Sequence, residues 1–513
     1  MRVVIAEPFA PAGIAVLQAR GLHVTSCAGE PRERLVQALG DAQGLIVRSE
    51  TRVDRDLFAH APQLRVVGRA GVGVDAIDVD AATQAGILVL NTPAANTLAA
   101  TEHTFALMLS LLRHIPRASQ AIRDGRWERA PFTGSELAGK TLGVVGVGRI
   151  GGAVSTRARA FEMRVIAHDP FVAQVRADSL GVQLASLEEV LERCDILTVH
   201  VPLTPQTAGM IGETALSRMK SSAIVVNCAR GGVIEEEALL RALDAGTIRA
   251  AAIDVVAQEP PQAGSAGERL HAHPKVLATP HLGGSTYESL ERIALQLAND
   301  VADALRGRPA SGAVNAPTGS AYVDAADRLG RLVPQLFGSA SPMHLHLQGD
   351  IPEEEAHPLR AAFLAAYLQT TTERRVSIVN ALAVAAELGI TLETASDAPQ
   401  SSFPSLLSVR AGGHRIAATM LAGTVRIVEL DGYELDAAPQ GAWIVTRHDD
   451  VPGMVGRVGT LLGEAGVNIA TMQVARNADS ALMVLAVDRA PERSLLERLR
   501  AIGGMHRVDA AVL

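Results

Sequence analysis

Four titratable residues in the middle of the chain follow or interrupt short apolar runs that resemble buried strands. They are Arg230 after VVNCA, Asp254 after AAI, Glu259 in QEP and His281 in TPHLGG. A histidine, an arginine and a carboxylate could together remove a hydroxyl proton, stabilise a developing carbonyl and orient the base. Hydride transfer from a 2-hydroxy acid needs these roles. Ordinary alternatives exist, since a single loop histidine is more often structural and Glu259 precedes a proline in a possible turn.

A glycine-rich motif follows an apolar run in Thr141–Gly152, TLGVVGVGRIGG. In the spacing GxGxxG, Gly146 permits a tight turn, Gly148 lets the backbone approach a pyrophosphate, and Gly151 lets the next helix pack on the strand. The N-terminus of that helix then presents free N–H groups to the anion. A glycine turn that binds nothing is the alternative for an isolated match.

A second apolar run, Met163–His168, ends at Asp169. This is the position, about 20 residues beyond the glycines, where a carboxylate hydrogen-bonds the adenosine ribose hydroxyls of NAD. The same carboxylate would repel the extra phosphate of NADP. Together with the glycines it predicts NAD as the cofactor, and the alternative is an aspartate at a strand end that contacts only solvent.

Residues 1–97 alternate short strand-like runs with helix-like runs, which predicts a parallel α/β sheet. Arg48 and Arg69 lie at the carboxyl ends of two of the predicted strands. Ligands of parallel sheets bind at these ends, so both arginines could reach an anion in a cleft. Two ordinary surface arginines are the alternative.

A long apolar helix is predicted over Thr101–Arg113, where the apolar residues are spread too widely for a surface helix. Strand-like and helix-like runs then alternate through the glycine motif, which predicts a second doubly wound domain over 98–284. The helix predicted over Tyr287–Leu305 returns the chain to the first domain. The two domains would enclose a cleft, a common place for a ligand.

The remaining residues predict two further units. Helical patterns around Arg328–Leu336, Pro358–Leu368 and Val379–Leu388, together with strand-like runs, predict an α+β domain over 317–438. Its role is open between a spacer that aids assembly and an effector site that uses its basic residues. Residues 441–513 have the element order βαββαβ, which is typical of a split ferredoxin-like domain.

The composition limits the classes of protein. The 513 residues exceed what one core usually supports, so about three or four domains are expected. A net charge of −8 gives no indication of a nucleic-acid surface. The three cysteines have no metal-like spacing and suit a reducing cytosol, and no metal is predicted. Without a recognisable signal peptide or membrane-spanning run, a cytoplasmic protein with no nucleic-acid or membrane partner is expected.

Several long motifs in residues 1–315 resemble the D-isomer-specific 2-hydroxy-acid dehydrogenases, and within that family the long-form phosphoglycerate dehydrogenases. The motifs are GRAGVGVDAIDVDAAT, NTPAANTLAATEH, GKTLGVVGVGRIG, VHVPLTPQTAGMI, VNCARGGVIEEEAL, IDVVAQEP and TPHLGGST. The resemblance implies an α/β fold with two doubly wound parallel-sheet domains, a flavodoxin-like substrate domain and a Rossmann NAD domain, followed by an α+β intervening domain and a βαββαβ ACT domain. The implied domains are 1–97 with 285–315, then 98–284, 317–438 and 441–513.

The resemblance also implies roles for individual residues. Arg230, Glu259 and His281 would form the catalytic triad, with Asp254 near the nicotinamide amide. Substrate would be held by Arg48, Ser49, Arg69 and Asn96. NAD would be lined by Gly146, Gly148, Arg149, Ile150, Gly151, Asp169, Cys228, Ala229, Arg230, Asp254, His281, Leu282, Gly283 and Gly284.

The implied reaction is the NAD-dependent oxidation of 3-phospho-D-glycerate (3-phosphoglycerate) to 3-phosphohydroxypyruvate, the first step of L-serine biosynthesis. Another D-2-hydroxy-acid dehydrogenase, such as a hydroxypyruvate or glyoxylate reductase, stays open as an alternative. So does a non-catalytic NAD-sensing protein that recruits partners. Preference for a phosphorylated substrate would separate the two enzymes, and turnover would exclude the binding protein.

The segment DDVPGMVGRVGTLLGEAGVNIATMQVAR resembles an ACT domain, a small-ligand sensor that typically pairs with a copy from another subunit. His448, Asp450 and Asn468, with the amides after Pro452, could bind the ammonium and carboxylate of L-serine as an inhibitor. A pure dimerisation module is the alternative. The segment Trp127–Arg129 resembles the family's subunit interface, so a homodimer or homotetramer is expected.

Overall fold

The structure is a computed structural model that describes residues 1–308, 310–316, 322–397, 403–421, 423–477 and 480–513. Within these residues the chain forms four β-sheets of five, seven, six and four strands. The α/β class with two parallel sheets, an α+β unit and a small antiparallel sheet is confirmed. None of the described helices combines the length and the apolar character needed to cross a membrane.

The first sheet is parallel, with the strand order β2-β1-β3-β4-β5. Its central strands are buried apolar runs such as GLIV, as expected for a sheet covered on both faces. Separate apolar cores lie on the two faces. The elements are β1 (Arg2–Ile5), α1 (Pro11–Ala19), β2 (His23–Ser26), α2 (Arg32–Leu39), β3 (Gly44–Val47), α3 (Arg55–Ala59), β4 (Val66–Arg69), α4 (Val79–Gln84) and β5 (Leu88–Leu90).

The second sheet is also parallel, with the order β12-β11-β10-β9-β6-β7-β8. Strand β6 pairs with both β7 and β9, so the strand order reverses beside the glycine motif, where such sheets bind their ligands. Its elements are α5 (Thr97–Leu112), α6 (Ile115–Arg123), β6 (Thr141–Val145), α7 (Arg149–Ala160), β7 (Arg164–His168), α8 (Gln174–Leu180), β8 (Gln183–Leu184), α9 (Leu187–Arg193), β9 (Ile196–Val199), α10 (Glu213–Ser217), β10 (Ile224–Asn227), α11 (Glu236–Asp244), β11 (Ala250–Ile253), α12 (Ala266–Ala272) and β12 (Val276–Ala278).

Two helices connect the parallel sheets. The helix α5 begins at Thr97, four residues before the predicted start at Thr101, with Asn96 at the N-cap position. The helix α13 spans Tyr287–Leu305 as predicted and packs on α1 and β4 of the first sheet. A Cβ on Gly13 of α1 would lie 2.8 Å from the carbonyl oxygen of Ala294, so the two helices need glycine at their contact.

The chain returns to the first sheet after α13. Ala313 forms an isolated antiparallel bridge with Leu90, and the side chain of Asn315 accepts a hydrogen bond from the Val89 amide at 2.8 Å. The predicted domain boundary between 315 and 317 falls at this point, and residues 317–321 lie outside the described residues. The domain boundaries themselves stay predictions.

The third sheet is mixed, with β13 parallel to β14 and the other pairs antiparallel. Helices cover one face, and α14 approaches α15 so closely that a Cβ on Gly330 would lie 2.3 Å from the Phe363 carbonyl oxygen. The elements are α14 (Val323–Phe337), β13 (Met343–Gly349), α15 (Ala356–Thr371), α16 (Ala381–Glu387), β14 (Leu392–Asp397), β15 (Ser405–Ala411), β16 (His414–Leu421), β17 (Thr424–Leu430) and β18 (Tyr433–Ala437).

The fourth sheet has the order β20-β21-β19-β22, and the βαββαβ arrangement is confirmed. One of its faces shares an apolar core with the third sheet, to which Trp443 and Val445 contribute. The elements are β19 (Ala442–His448), α17 (Met454–Glu464), β20 (Ile469–Arg476), β21 (Ala481–Val487), α18 (Arg493–Arg500) and β22 (Met505–Val512).

Candidate active site

A cleft of about 740 Å³ lies between the two parallel sheets, at the carboxyl ends of their strands. It is lined by residues from both sheets, including the predicted catalytic and substrate residues. These are Arg48, Ser49, Arg69, Asn96, Arg230, Glu259 and His281, together with Asp254 and Gly284. Arg48 and His281, which are 233 positions apart in the sequence, therefore meet in one cavity.

His281 and Glu259 form a hydrogen-bonded pair in this cleft. His281 follows β12, Glu259 lies in the loop after β11, and Nδ1 of the ring is 2.6 Å from Oε2 of the carboxylate. The other oxygen of Glu259 accepts the Val256 amide at 3.2 Å, which fixes the carboxylate. When Nδ1 carries the proton that faces Glu259, Nε2 is left as a proton acceptor. The pair therefore has the geometry of an oriented general base.

Asp254 organises the loop that carries His281. Its carboxylate is buried and accepts hydrogen bonds from the Thr279 hydroxyl at 2.6 Å and from the amides of Leu282 at 2.7 Å and Gly283 at 2.8 Å. Nε2 of His103, on α5, lies 3.1 Å from the same carboxylate. Burial alone would raise the pKa of Asp254, but the hydrogen bonds outweigh burial and hold that pKa below its usual value. The carboxylate thus stays ionised and holds the loop.

Three arginines concentrate positive charge at one side of the cleft. Burial lowers the pKa of Arg69 to about 10, and the nearby charges of Arg230 and Arg48 act in the same direction. Nε of Arg230 lies 3.3 Å from Asp75, a residue of the first domain. The Arg69 guanidinium lies over Gly71, where a Cβ would meet it at 1.4 Å. This arrangement favours an anionic ligand that offsets the mutual repulsion of the arginines.

The turn that carries Arg230 is held by Asn227, the last residue of β10. Its side chain accepts the Ala229 amide at 3.0 Å and donates to the Arg230 carbonyl at 3.0 Å. Cys228 lies in the same turn, and burial raises the pKa of its thiol to about 12, so it is a neutral lining residue rather than a nucleophile.

Asn96 contributes an unsatisfied polar atom to the cleft. Its Oδ1 is buried and has no hydrogen-bond partner among the described residues. A Cβ on Gly284 would lie 3.2 Å from the Nδ2 of Asn96, so this amide also approaches the loop of His281. A buried acceptor without a protein partner is costly, so this oxygen is suited to a ligand donor.

The glycine motif forms a cradle that fits a dinucleotide. Gly146 has φ of 91°, and a Cβ on Gly151 would lie 2.0 Å from the Gly146 carbonyl oxygen, so the turn and helix pack too closely for alanine. A Cβ on Gly148 would meet no described atom within 4 Å, which leaves open space beside the helix α7 that begins at Arg149. Free N–H groups at that helix N-terminus suit a pyrophosphate.

Asp169 lies at the carboxyl end of β7, beside the cradle. Its carboxylate accepts the amides of Val147 at 2.7 Å and Phe171 at 2.9 Å. These contacts aim a fixed negative charge at the glycine turn, as recognition of ribose hydroxyls requires. Ile150, half-buried at the start of α7, and Leu282 and Gly283, held by Asp254, complete the set predicted for NAD.

The residues predicted to bind L-serine do not all come together. His448 ends β19, and Oδ1 of Asp450 lies 3.2 Å from Nε of Arg476 at the same end of the fourth sheet. Asn468 precedes β20 and lies at the opposite end, where Ile469 pairs with Val487. The two ends are about 20 Å apart, because seven residues of strand rise by about 3.3 Å each. One copy of the domain cannot place all three side chains on one ligand.

Three residues that contact the site were not among those predicted from the sequence. His103 and Thr279 both contact Asp254, and Asp75 pairs with Arg230 across the cleft. His103 lies on a helix that was predicted only as a buried connector, in the motif TEH. A polar pair on an otherwise apolar helix was the available signal, since such groups need partners when buried.

Three family models match the chain in order. The NAD binding domain of the D-isomer specific 2-hydroxyacid dehydrogenases matches residues 105–283, which confirms an NAD-binding domain. The D-3-phosphoglycerate dehydrogenase intervening domain matches residues 320–430. The ACT domain matches residues 442–504.

Whole-chain relatives point to the same family. A D-3-phosphoglycerate dehydrogenase of Archaeoglobus fulgidus is 37% identical over 99% of each chain, and one of Bacillus subtilis is 41% identical over 89% of each chain. Among solved structures, the TT0316 protein from Thermus thermophilus is 36% identical with a TM-score of 0.57, covering 61% of this chain and 100% of that one. D-lactate dehydrogenase from Aquifex aeolicus, complexed with NAD and lactic acid, is 28% identical with a TM-score of 0.54, covering 60% and 96%. The chain belongs to the D-isomer specific 2-hydroxyacid dehydrogenase family and, within it, to the D-3-phosphoglycerate dehydrogenases.

Proposed function

We propose that the protein oxidises the C2 hydroxyl of 3-phospho-D-glycerate with NAD and forms 3-phosphohydroxypyruvate, the first step of L-serine biosynthesis. The observation that carries this proposal is the shared cleft, which places the His281–Glu259 pair beside a cluster of three arginines. The pair supplies the base that alcohol oxidation needs. The arginines supply more positive charge than one carboxylate requires.

Each residue has a defined part in the proposed reaction. Nε2 of His281 accepts the hydroxyl proton, and the negative Glu259 stabilises the resulting imidazolium. The Arg230 guanidinium donates hydrogen bonds to the substrate carboxylate and to the oxygen that becomes the carbonyl. When bound, the nicotinamide of NAD supplies the acceptor for the hydride that leaves C2.

The phosphate end of the substrate is assigned to Arg48 and Arg69. Both line the cleft with Ser49 and Asn96, and the pKa of Arg69, about 10, leaves its guanidinium charged at neutral pH. A phosphate would relieve the repulsion within the arginine cluster, whereas an unphosphorylated acid would leave part of it unpaired.

The test is an assay of NADH formation from 3-phosphoglycerate, with the product identified by mass spectrometry after trapping of the ketone. We expect turnover with NAD and much slower turnover with NADP, because Asp169 faces the adenosine ribose site. Reduction of glyoxylate or hydroxypyruvate at a rate equal to that of 3-phosphohydroxypyruvate would favour the reductase alternative. Cofactor binding without turnover of any of these acids would favour the binding protein.

The matching ACT domain supports inhibition by a small-molecule effector, for which we propose L-serine. Nε2 of His448 is buried without a hydrogen-bond partner among the described residues. Asp450 pairs with Arg476 at the protein surface, and in the proposed site the ammonium group of serine takes the place of this exposed arginine. Because Asn468 lies at the other end of the sheet, the proposed site takes this residue from a second copy, in a homodimer or homotetramer.

The serine proposal is tested by calorimetry and light scattering on the full chain. Serine should bind the wild type, and Asp450→Ala and Asn468→Ala should each weaken binding at least tenfold without changing the KM for 3-phosphoglycerate, since a charge-assisted hydrogen bond contributes about 1.5–3 kcal/mol. Glu497→Gln, on the exposed side of α18, is the matched control. A monomer that binds serine, or an oligomer that does not, would contradict the shared site.

The domain division proposed from the sequence is retained, with 1–97 and 285–315 as the substrate domain and 98–284 as the NAD domain. The intervening domain covers 317–438 and the ACT domain 441–513. We place the protein in the cytoplasm, because its cysteines, Cys27, Cys194 and Cys228, are free thiols and the proposed pathway uses NAD.

A further inference from the structure

A buried carboxylate outside the predicted site holds one wall of the cleft. Glu7 follows β1 at the carboxyl end of the first sheet and is 6% exposed. Its Oε1 accepts the backbone amides of Arg48 at 2.8 Å and Thr51 at 3.0 Å, and its Oε2 accepts the amide of Glu50 at 3.2 Å. Three amides of the loop 48–51 therefore converge on one side chain.

The hydrogen bonds make this carboxylate stable in its charged form. Burial alone would raise the pKa of Glu7, but the amides of Arg48, Thr51 and Glu50 outweigh burial and hold that pKa below its usual value. The amides of the loop 48–51 form a concave anion-binding site, and the carboxylate of Glu7 is the anion bound there. The loop conformation is thus set by Glu7 rather than by a ligand.

The loop held in this way carries two residues of the cleft wall. Arg48 and Ser49 line the cavity, and the same cavity contains Arg69 and Arg230. The backbone amide of Arg48 itself makes the shortest of the three contacts with Glu7, at 2.8 Å, so Glu7 fixes the point from which the Arg48 side chain extends. Glu7 also lowers the electrostatic cost of the arginine cluster, because its charge opposes the effect of Arg48 and Arg230 on Arg69.

We propose that Glu7 is a positioning residue for substrate phosphate, which fixes the loop 48–51 so that the Arg48 guanidinium and Ser49 hydroxyl meet the phosphate in a preformed arrangement. This inference rests on the proposed function, since it takes the phosphorylated acid as the substrate. Glu7 does not contact the substrate, because its oxygen atoms face the loop amides. Preformed contacts lose less free energy to ordering when the ligand binds.

The test compares Glu7→Gln with the wild type on two substrates, 3-phosphoglycerate and D-glycerate, with NAD saturating. The glutamine has one acceptor oxygen and no charge, and its NH₂ group would face at least one amide donor, so the loop loses at least one of its three contacts and the remaining ones weaken. We expect the KM for 3-phosphoglycerate to rise about 10- to 100-fold and kcat to change less than about threefold. The kcat/KM for D-glycerate and the KM for NAD should change less than about threefold, so the ratio of the two kcat/KM values narrows.

Controls separate positioning from general structure. Glu30→Gln, an exposed carboxylate of the same domain, should leave both substrates unchanged. Glu7→Asp keeps the charge on a shorter side chain and should retain a larger preference for the phosphorylated substrate than Glu7→Gln. It also provides a folded variant should the glutamine variant unfold. Equal losses on both substrates in either variant would assign Glu7 to the general stability of the domain and overturn the proposal, as would an unchanged ratio.

One further measurement keeps this proposal distinct from the proposed function. Inorganic sulfate should inhibit the wild type competitively, against whichever hydroxy acid is turned over, and should inhibit Glu7→Gln at least tenfold more weakly. A wild type that does not discriminate between 3-phosphoglycerate and D-glycerate would refute the proposed substrate. Sulfate inhibition that is equal in the two proteins would refute the role of Glu7.

Discussion

Replacing Glu259 by glutamine removes a charge from the catalytic pair and nearly conserves its shape. The carboxylate lies 2.6 Å from Nδ1 of His281, and the two side chains are 35% and 42% exposed. A charge-assisted hydrogen bond contributes about 1.5–3 kcal/mol, and partial exposure reduces the electrostatic share to about 1 kcal/mol. At about 1.4 kcal/mol per factor of ten in rate, the change corresponds to a loss of about fivefold in kcat/KM.

The direction follows from the charge that develops in the reaction. His281 becomes positively charged when it takes the hydroxyl proton, and the negative Glu259 stabilises that charge, so Glu259→Gln should lower kcat/KM for 3-phosphoglycerate by about fivefold. The assay is NADH formation at one fixed pH, and Glu291→Gln, an exposed residue of α13, is the control whose kcat/KM should not change. An unchanged or higher kcat/KM in Glu259→Gln would refute the pairing of Glu259 with the base.

Three further predictions concern the base and the cofactor cradle. His281 has φ of 53°, which asparagine tolerates better than alanine, so His281→Asn is the suitable variant. Loss of the base should lower kcat by about 10²- to 10⁴-fold, while NAD affinity, measured by fluorescence titration, changes little. Near-normal turnover would assign the base elsewhere. Gly148→Ala should keep the melting temperature and weaken NAD binding at least tenfold. Gly151→Ala should lower the melting temperature, because its Cβ would lie 2.0 Å from the Gly146 carbonyl oxygen. Calorimetry that finds the two variants equally stable would contradict this packing. Asp169→Asn should narrow the preference of kcat/KM for NAD over NADP, and an unchanged ratio would remove Asp169 from ribose recognition.

The sequence predicted the parts of the fold that depend on local patterns. The helix α13 has the predicted bounds Tyr287–Leu305, and the strand ends that carry Arg230 and His281 lie where the apolar runs end. Apolar runs and glycine spacing are local, and the carboxyl ends of parallel strands meet at one edge of a sheet. The cleft residues could therefore be named before their contacts were known.

The contacts that position these residues are set by tertiary structure instead. His103 reaches Asp254 from a position 151 residues earlier, because α5 packs against β11. Glu7 reaches the Arg48 amide across 41 residues, because β1 and β3 are neighbours in the sheet. Glu7 reads as an ordinary strand end in the sequence, and Asp254 was predicted only as a cofactor residue. The strand order shows which loop each carboxylate holds.

The residues predicted to bind L-serine show a different limit of sequence reasoning, because they do not meet within one copy of the domain. The helix α17 carries the chain from the His448 end of the sheet back to the other end before Asn468. A strand, a helix and a parallel strand put the starts of both strands at the same end of the sheet, here with β21 between them. Motif spacing grouped the residues, whereas the chain path separates them within one copy.

The ratio of kcat/KM for 3-phosphoglycerate to that for D-glycerate, measured with NAD on the wild-type protein, tests the central claim most directly. The claim is that the cleft uses Arg48 and Arg69 to select a phosphorylated 2-hydroxy acid for the His281–Glu259 pair. Charge-assisted contacts to phosphate of about 1.5–3 kcal/mol each predict a ratio of at least about 10². A ratio near one would show that the arginines do not recognise phosphate, and would contradict the account.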